Sequence, residues 1–331
     1  MMESFYDEDA SLEILRNKTL GIVGYGNQGR AQALNLRDSG LKVLVGNLRD
    51  ASAEQAEADG FPVLSIAEAA ERADALALLI PDEVQRLVHE EVLEKKLRAG
   101  QTLVFAHGYN IHYRLIVPPA GVDVVMVAPR MIGTKVREFY VAGRGAPAYV
   151  AVAQDASGRA LEKALAWARG IGATQAGVFK TTFQEETELD LFQEQGLWPL
   201  LVRTMLTAYE FLVANGFPPE MVALEMYGSE EAAEVFREMA RVGFFKQMRL
   251  HSHTSQYGTL SRAQAIPFQA EIRASMERAL AAIRSARFAE EWRTEQAAGY
   301  PLFHRLRDQA DAHPLNQAEA QMRQLLKSKA D

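Results

Sequence analysis

The stretch Thr19-Leu-Gly-Ile-Val-Gly-Tyr-Gly-Asn-Gln-Gly29 decides how the first half of the chain is interpreted. The apolar run from Thr19 to Val23 predicts a buried strand. Three glycines at Gly-x-Gly-x-x-Gly spacing follow, and the residues from Arg30 to Ser39 predict a helix that Gly40 ends as a C-terminal cap. The next strand is predicted at Lys42–Val45. A strand, a glycine-rich turn, a helix and a second strand in this order predict a dinucleotide-binding unit.

Each glycine of this turn has a separate predicted role. Gly24 allows the tight turn, Gly26 lets the backbone approach a pyrophosphate, and Gly29 lets the helix pack on the strand. Amide groups at the N-terminus of the helix would hold the phosphates. The alternative is a tight turn that binds no ligand. The candidate cofactor-binding residues of the turn are Gly24, Tyr25, Gly26, Asn27, Gln28 and Gly29.

The segment after the second strand, Val45-Gly-Asn-Leu-Arg-Asp-Ala-Ser52, bears on which dinucleotide is bound. Folds that bind NAD usually place an acidic residue here to hold the ribose hydroxyls. Arg49 and Ser52 instead suit a 2′-phosphate, because a guanidinium fork and a hydroxyl both donate to phosphate oxygens. These two residues favour NADPH, whereas Asp50 argues for NADH. Arg49 and Asp50 could also be ordinary loop charges.

Strands and helices continue to alternate through the first half of the chain. Strands are predicted at residues 73–80, 102–106, 123–128 and 148–152, and helices at residues 84–97 and 157–171. Ligands of open α/β sheets bind outside the carboxyl ends of the strands. Pro81 with Asp82, His107, and Arg130 all follow predicted strands, so we expect them on one rim as candidate site residues. A histidine at a strand end can also be purely structural.

Asp190 and Glu194 are four residues apart in a predicted helix, which places both carboxylates on one face. Like charges at this spacing destabilise a bare helix, and a cation would offset them. Mg²⁺ is the natural candidate because it takes oxygen ligands. The alternative is a solvated acidic face, since Glu185, Glu186 and Glu188 precede the pair.

The second half of the chain is predicted to be helical. Helices are expected at residues 189–215, 218–242, 266–289 and 318–329, and the change in pattern places the domain boundary between residues 1–182 and 183–331. Glu225 falls near the middle of an apolar helix, where a lone buried carboxylate is costly unless it is paired or bound to metal. Glu230 is expected to be solvated, because Glu231 and Glu234 accompany it.

Composition sets the outer limits on function. The chain has 331 residues, which is enough for two domains with cores of their own, and its net charge is −7. This acidic balance disfavours a nucleic-acid or anionic-membrane partner. The absence of cysteine excludes disulfides, thiol catalysis and cysteine-bound metals. We find no signal peptide and no apolar run of membrane-spanning length, so we expect a cytoplasmic protein.

Taken together, these motifs resemble those of the short-form (class I) ketol-acid reductoisomerases, which use Mg²⁺ and NADPH in branched-chain amino-acid synthesis. The resemblance runs nearly end to end. The matching stretches are Gly24-Tyr-Gly-Asn-Gln-Gly29, Ala33-Leu-Asn-Leu-Arg-Asp-Ser-Gly40, Pro81-Asp-Glu83, Phe105-Ala-His-Gly-Tyr-Asn-Ile-His112, Val127-Ala-Pro129, Gly143-Arg-Gly145, Thr181-Thr-Phe183, Glu185-Glu-Thr-Glu188, Asp190-Leu-Phe192, Phe288-Ala-Glu-Glu-Trp292 and His313-Pro314.

The resemblance implies a fold and a set of site residues. The fold would be a Rossmann-like doubly wound sheet followed by an all-helical domain that is knotted and interlocked in a homodimer. His107 would lie beside the nicotinamide, Asp190 would bridge two Mg²⁺ ions, and Glu194 would bind one of them. Glu225, contributed by the second subunit, would serve the metals and the substrate, and Ser252 would hold the substrate carboxylate.

The chain also departs from the family pattern at four places. Arg130 stands where the family has the lysine of a Lys-Gly-Pro-Gly-His run, and a guanidinium is not a neutral replacement for an ammonium. Ser229 stands where the family has a second acidic residue one turn after Glu225. Arg30 replaces a histidine after the third glycine, and the segment before Ser252 is one residue short.

These departures leave three functions open. Alkyl migration in an acetohydroxyacid needs two metals to hold the alkoxide and polarise the carbonyl, whereas reduction of a 2-keto acid needs only one polarising cation and a proton donor. The first function is therefore a ketol-acid reductoisomerase-like reaction on an acetohydroxyacid or related 2-keto acid. The second is reduction of a different 2-keto acid or related carbonyl compound, with one Mg²⁺ bound and isomerase activity weak or absent. The third is a non-catalytic nucleotide-binding dimer.

Overall fold

The computed structural model describes residues 2–326 of the chain. The chain divides into two compact units, residues 1–190 and residues 191–331. The last residues of the helix predicted at 318–329 therefore lie outside the described residues.

A nine-stranded mixed sheet forms the centre of the first unit. Its strands are β1 (Ser4–Phe5), β2 (Thr19–Val23), β3 (Lys42–Gly46), β4 (Val63–Leu64), β5 (Ala75–Leu78), β6 (Thr102–Phe105), β7 (Asp123–Pro129), β8 (Ala148–Gln154) and β9 (Val178–Lys180). They are ordered β1-β9-β8-β7-β6-β5-β2-β3-β4. The six strands from β2 to β7 run parallel, while β8 pairs antiparallel with β7 and β1 antiparallel with β9.

The order of the parallel strands reverses at β2, with β3 on one side and β5 on the other. Ligands of doubly wound sheets bind at such a switch point, and the glycine-rich turn follows β2 directly. The predicted fold class, a Rossmann-like sheet followed by a helical domain, is confirmed.

Both faces of the sheet are covered by helices, which explains the nearly continuous apolar sequence of its strands. Strand β5 shows the resulting alternation. Ala75 and Ala77 pack into the core on one face, and Leu76 and Leu78 pack into the core on the other. The α-helices of this unit are α1 (Glu13–Arg16), α2 (Asn27–Asp38), α3 (Ala51–Ala58), α4 (Ile66–Arg72), α5 (Asp82–Val88), α6 (Glu94–Lys96), α7 (Tyr109–His112), α8 (Gly133–Val141), α9 (Ala160–Gly170) and α10 (Phe183–Phe192), the last of which ends beyond Asp190.

Helices alone make up the described part of the second unit. They are α11 (Trp198–Ala214), α12 (Pro219–Ala223), α13 (Glu231–Val242), α14 (His253–Gln264), α15 (Gln269–Arg284), α16 (Arg287–Ala297), α17 (Pro301–Asp311) and α18 (Leu315–Leu325). Gln193–Leu197 and Leu224–Gly228 are π-helical turns. Many large apolar side chains of this unit are exposed, among them Trp198, Val202, Phe211, Phe244 and Phe245.

Two predictions of a long helix in this unit are wrong, because the structure divides each predicted helix into shorter ones. Residues 218–242 form α12, a π-helical turn and α13, since Glu230 adopts φ +66° and its amide turns back to the carbonyl of Tyr227. Residues 266–289 break at Ala286, which has φ +59°. Neither residue is a glycine, so the sequence did not mark the positions with positive φ, although Gly228 precedes Glu230 by two residues. Arg114 and Tyr300 are also non-glycine residues with positive φ.

The helical stretch Phe183–Ala214 qualifies one sequence-based expectation. By length and composition alone it could cross a membrane, although we had expected no apolar run of that length. It carries Arg203 and Glu210 in its apolar half and an acidic cluster in its first half. A protein partner accommodates such a mixture better than lipid does.

Candidate active site

The glycine-rich turn is closed toward the protein and open on the other side. Gly24 has φ +92°, and a Cβ added there would lie 2.6 Å from a methyl carbon of Ile80. A Cβ on Gly29 would lie 1.9 Å from the carbonyl oxygen of Gly24, so helix α2 can pack here only without a side chain. A Cβ on Gly26 would meet no described atom within 4 Å. This open position leaves the backbone accessible, as a bound pyrophosphate requires.

Tyr25 has a structural role in the turn. Its ring is buried, and its hydroxyl donates to Asp59 at 2.8 Å. Asp59 also accepts from Nε of Arg30 at 2.7 Å, and this bond is the main cause of the lowered pKa of Asp59. The backbone amide of Tyr25 donates to Asn47. Arg30, a departure from the family pattern, therefore helps to brace the turn through Asp59.

Asn27 and Gln28 connect the turn to the segment that follows Arg130. Oδ1 of Asn27 accepts from the amide of Thr134 at 2.8 Å. Nε2 of Gln28 donates to the carbonyl of Met131 at 2.9 Å. The segment that departs from the family run is thus anchored directly on the glycine-rich turn.

The loop after β3 presents Arg49 to solvent and uses Asp50 internally. Arg49 is 71% exposed in its side chain and pairs with Glu57 at 2.6 Å. Asp50 caps helix α3, and its carboxylate accepts from the amide of Ala53 at 3.0 Å. Because the carboxylate of Asp50 already caps helix α3, Asp50 is a weaker argument for NADH binding. Ser52 lies in the first turn of α3, close to the amides that Asp50 does not cap.

The rim of the sheet brings together two strand ends and one helix. His107 and Gly108 follow β6, Arg130 follows β7, and helix α10 carries Glu186. Glu186 is 1% exposed in its side chain and makes three contacts. Its carboxylate lies 2.9 Å from Nδ1 of His107, 2.8 Å from the amide of Gly108 and 3.0 Å from a guanidinium nitrogen of Arg130.

Asp190 lies one turn after Glu186 in α10 and joins the same cluster. The second terminal nitrogen of Arg130 donates to Oδ1 of Asp190, and Oδ2 of Asp190 lies 3.7 Å from Nδ1 of His107. The guanidinium carbon of Arg130 lies 5.3 Å from the centre of the Tyr149 ring, which supports it by a cation–π contact. The structure therefore brings His107 and Arg130 together, as the strand-end pattern predicted, and places Asp190 of α10 beside them.

Electrostatics favour a protonated His107. Burial lowers the pKa of His107, but the hydrogen bond and charge of Glu186 outweigh it, and with Asp82 and Asp190 they raise this pKa to about 9. Burial raises the pKa of Asp82, whose carboxylate accepts from Gln85 at 3.1 Å. Pro81 precedes it as the exposed N-cap of α5.

The two carboxylates of this cluster fit a hard divalent cation, whereas His107 could be a ligand only in its neutral form. One possible ligand atom each from His107, Glu186 and Asp190 lies within 4.8 Å of the others. Carboxylate oxygens are the ligands that Mg²⁺ prefers, and it retains several waters besides. Arg130 already bonds to both carboxylates, so it and a metal would draw on the same oxygens.

The site residues predicted in the second unit are exposed there. Glu194 lies in the π-helical turn Gln193–Leu197 and Glu225 in the turn Leu224–Gly228. The expectation that Glu225 is a buried lone carboxylate in an apolar helix is wrong for the single chain. It lies on the exposed side of the π-helical turn, where Leu224, Met226 and Tyr227 are half-buried.

Ser252 and Ser229 stand at helix ends in this unit. Ser252 is the N-cap of α14, and its hydroxyl accepts from the amide of Ser255 at 3.2 Å. Ser229 follows the π-helical turn, and its amide donates to the carbonyl of Leu224 at 3.1 Å. Both side chains belong to exposed residues.

Glu186 is the residue of this cluster that sequence reasoning missed. In the sequence it is considered only with Glu185 and Glu188, in the alternative of a solvated acidic face. The signal was present, because Glu186 precedes Asp190 by four residues and therefore shares its helix face. Its burial depends on contacts with two strand ends that are distant in sequence.

Comparison with known proteins agrees with this geometry. Residues 14–177 match the family model described as acetohydroxy acid isomeroreductase, NADPH-binding domain, and residues 183–328 match ketol-acid reductoisomerase, C-terminal domain. The ketol-acid reductoisomerase (NADP(+)) of Pyrobaculum neutrophilum is 46% identical over 332 residues, covering 98% of this chain and 99% of that protein. The enzyme of the same name from Pyrobaculum calidifontis is also 46% identical, over the same shares of both chains.

A solved structure extends the similarity to three dimensions. The NADH-preferring ketol-acid reductoisomerase from an uncultured archean superposes with a TM-score of 0.92 at 38% identity, covering 99% of this chain and 100% of that one. Sequence, family models and structure all agree over nearly the whole length. The resemblance drawn from the motifs is therefore confirmed, and the chain belongs to the ketol-acid reductoisomerase family.

Proposed function

We propose that this protein is an NADPH- and Mg²⁺-dependent ketol-acid reductoisomerase acting on an acetohydroxyacid. The observation that carries the proposal is the convergence of His107, Glu186 and Asp190 on the sheet rim. The curated relatives, named as NADP(+) enzymes, support the same reaction and cofactor.

NADPH would supply the hydride, and Mg²⁺ would polarise the keto oxygen and hold the alkoxide formed from the tertiary hydroxyl. The side chains of this chain then have defined tasks. Protonated His107, with its pKa near 9, carries a proton at the rim. Glu186 orients His107 through a hydrogen bond, as buried carboxylates do for active-site histidines. Asp190 and Glu194 would hold metal.

For the cofactor, Arg49 and Ser52 would receive the 2′-phosphate. Arg49→Ala should weaken NADPH binding at least tenfold, since a charged hydrogen bond contributes about 1.5–3 kcal/mol, and leave NADH binding nearly unchanged. Glu57→Gln is the matched control, because it removes the partner of Arg49 but keeps the guanidinium. Equal losses for both cofactors in a binding titration would reject this assignment.

The second unit is proposed to complete the site in a homodimer. Its exposed apolar side chains include Phe211, Phe236 and Phe244, and large exposed apolar patches mark interaction surfaces. In such a dimer the partner's copy of this unit would supply Glu225 for the metals, and Ser252 would bind the substrate carboxylate.

We place the boundary between the two domains after residue 182. We expect this protein, as a soluble member of its family, to act in the cytoplasm.

A second function, reduction without isomerisation, is favoured by two residues. The guanidinium of Arg130 is bonded to Asp190, and Ser229 offers a neutral hydroxyl where a carboxylate is expected. Both features weaken the case for two metals. Reduction of an already rearranged 3-hydroxy-2-keto acid, or of another 2-keto acid, would survive the loss of one metal better than alkyl migration.

NADPH oxidation by the purified full-length protein tests these alternatives. The substrates are acetohydroxyacids, their rearranged 3-hydroxy-2-keto acids and simple 2-keto acids, each with and without Mg²⁺. Comparable Mg²⁺-dependent turnover of the first two classes supports the reductoisomerase. Turnover of the rearranged or simple keto acids alone supports the reductase. NADPH binding with no turnover of any substrate would favour a non-catalytic nucleotide-binding dimer.

A further inference from the structure

Arg130 bridges the two carboxylates that would otherwise receive a metal ion. One terminal guanidinium nitrogen lies 3.0 Å from Oε1 of Glu186, and the other is bonded to Oδ1 of Asp190. A planar fork with two terminal nitrogens can hold both carboxylates at once. A lysine ammonium is a single compact charge on a flexible stem and cannot reproduce this bridge.

The bridge partly neutralises the charge of the cluster. Glu186 and Asp190 contribute two negative charges, and the guanidinium of Arg130 contributes a positive charge that is bonded to both. Adding a divalent cation at Asp190 while the guanidinium stays would place like charges a few ångströms apart in a partly buried site. Such a pair is strongly unfavourable where the effective dielectric constant is low.

The side chain of Arg130 can also adopt another position. Its side chain is 32% exposed, so the guanidinium can turn into water without leaving a buried unpaired charge. The ring of Tyr149 offers a second support that is not a carboxylate. Exchange of the guanidinium for a metal would therefore replace one cation by another at the same oxygens.

We propose that Arg130 acts as a built-in counter-cation of Asp190 that a divalent ion must displace, so that metal binding and the Arg130–Asp190 bond exclude each other. The inference rests on the proposed function in placing a metal at Asp190. It concerns Arg130 itself, a residue at which this chain departs from its family. The exclusion would lower the affinity of the protein for the metal by an amount that depends on the strength of the Arg130–Asp190 ion pair.

Binding of Mn²⁺, followed by electron paramagnetic resonance of the free ion, tests the exclusion without measuring activity. The proteins are the full-length chain, Arg130→Lys, and Arg137→Lys as the matched control. Arg137 is a partly exposed arginine of the same unit that pairs with Asp38. Arg130→Lys should lower the dissociation constant for Mn²⁺ at least tenfold, and Arg137→Lys should leave it unchanged.

The outcomes separate the inference from the proposed function. Equal Mn²⁺ affinity in all three proteins would overturn the exclusion and leave the metal site standing. Absence of Mn²⁺ binding in every protein would overturn both. Circular dichroism and thermal melting establish that each variant is folded.

Crystal structures of the unmodified protein with and without Mn²⁺ provide a test that needs no variant. The exclusion predicts an Mn²⁺ ion bonded to Asp190, located by its anomalous signal, with the guanidinium of Arg130 displaced from that carboxylate. An Mn²⁺ ion on Asp190 with the guanidinium still bonded to the same oxygen would overturn it.

Discussion

The two units differ in how far each is complete as a single chain. The first unit buries apolar side chains on both faces of its sheet, including Trp167, Phe105 and Met126. The second has a small core around Tyr209, Val222 and Ala318, and it exposes many of its aromatic residues. The difference teaches that a site can be interpreted from one chain only where that chain buries its own core. His107, Glu186 and Asp190 meet this condition, whereas Glu225 and Ser252 are exposed in the single chain and are assigned to the site only through the proposed homodimer.

The largest expected effect is on assembly. Phe211→Glu places a charge on the exposed apolar surface of α11 and should abolish the homodimer, because an uncompensated buried charge costs several kcal/mol. Val117→Glu is the matched control in the first unit. Both side chains are largely exposed in the single chain, at 65% and 73%. Light scattering should show loss of the dimer only for Phe211→Glu, and an unchanged mass would contradict the proposed interface.

The next largest effect concerns Glu186. Glu186→Gln removes the charge that holds His107 and Arg130, and it should lower the rate of NADPH-dependent reduction about 10²–10³-fold. Glu185→Gln is the control, because Glu185 is exposed and caps the start of α10 through Thr182. Steady-state kinetics with Mg²⁺ present would measure both variants. Equal rates for the two variants would show that the charge of Glu186 contributes nothing to the reaction.

Two glycines of the turn separate cofactor binding from packing. Gly29→Ala should lower the melting temperature clearly, because its Cβ would lie 1.9 Å from a backbone oxygen. Gly26→Ala has open space and should leave the melting temperature nearly unchanged while weakening NADPH binding by about tenfold or more. Thermal melting and NADPH titration of both variants make the comparison. Unchanged NADPH affinity in Gly26→Ala would contradict a pyrophosphate at this position.

The smallest expected effect is a pH dependence in the first unit. The hydrogen bond from Arg30 is the main cause that holds the pKa of Asp59 below its usual value. Its stabilising contribution is therefore complete above the unfolded pKa of about 3.9 and is lost as the pH falls through the lower folded pKa. Asp59→Asn should lower the urea midpoint at pH 7, and the difference from the unmodified protein should shrink as the pH falls below about 4. A constant difference over this range would show that the charge of Asp59 contributes nothing.

The sequence predicted those parts of the molecule that local patterns determine. The glycine-rich turn, the parallel strands and the position of His107 and Arg130 on one rim follow from spacing and from the rule that ligands bind at strand ends. The place of Asp190 beside them was implied only by the family resemblance. The burial of Glu186 could not be predicted, because Gly108 and Arg130 reach it from distant parts of the chain. The break at Ala286 was missed because an alanine in a left-handed conformation gives no breaker signal.

The residues with positive φ also imply how sequences should vary within the family. Glu230, Ala286 and Tyr300 adopt a left-handed backbone conformation, which is unfavourable for any residue with a Cβ atom. Glycine or asparagine should therefore replace them freely in relatives that keep the same fold. Gly24 is constrained twice, by φ +92° and by the nearness of Ile80, so we expect no substitution there. Variability at the first three positions beside invariance at Gly24 would reflect backbone geometry rather than catalysis.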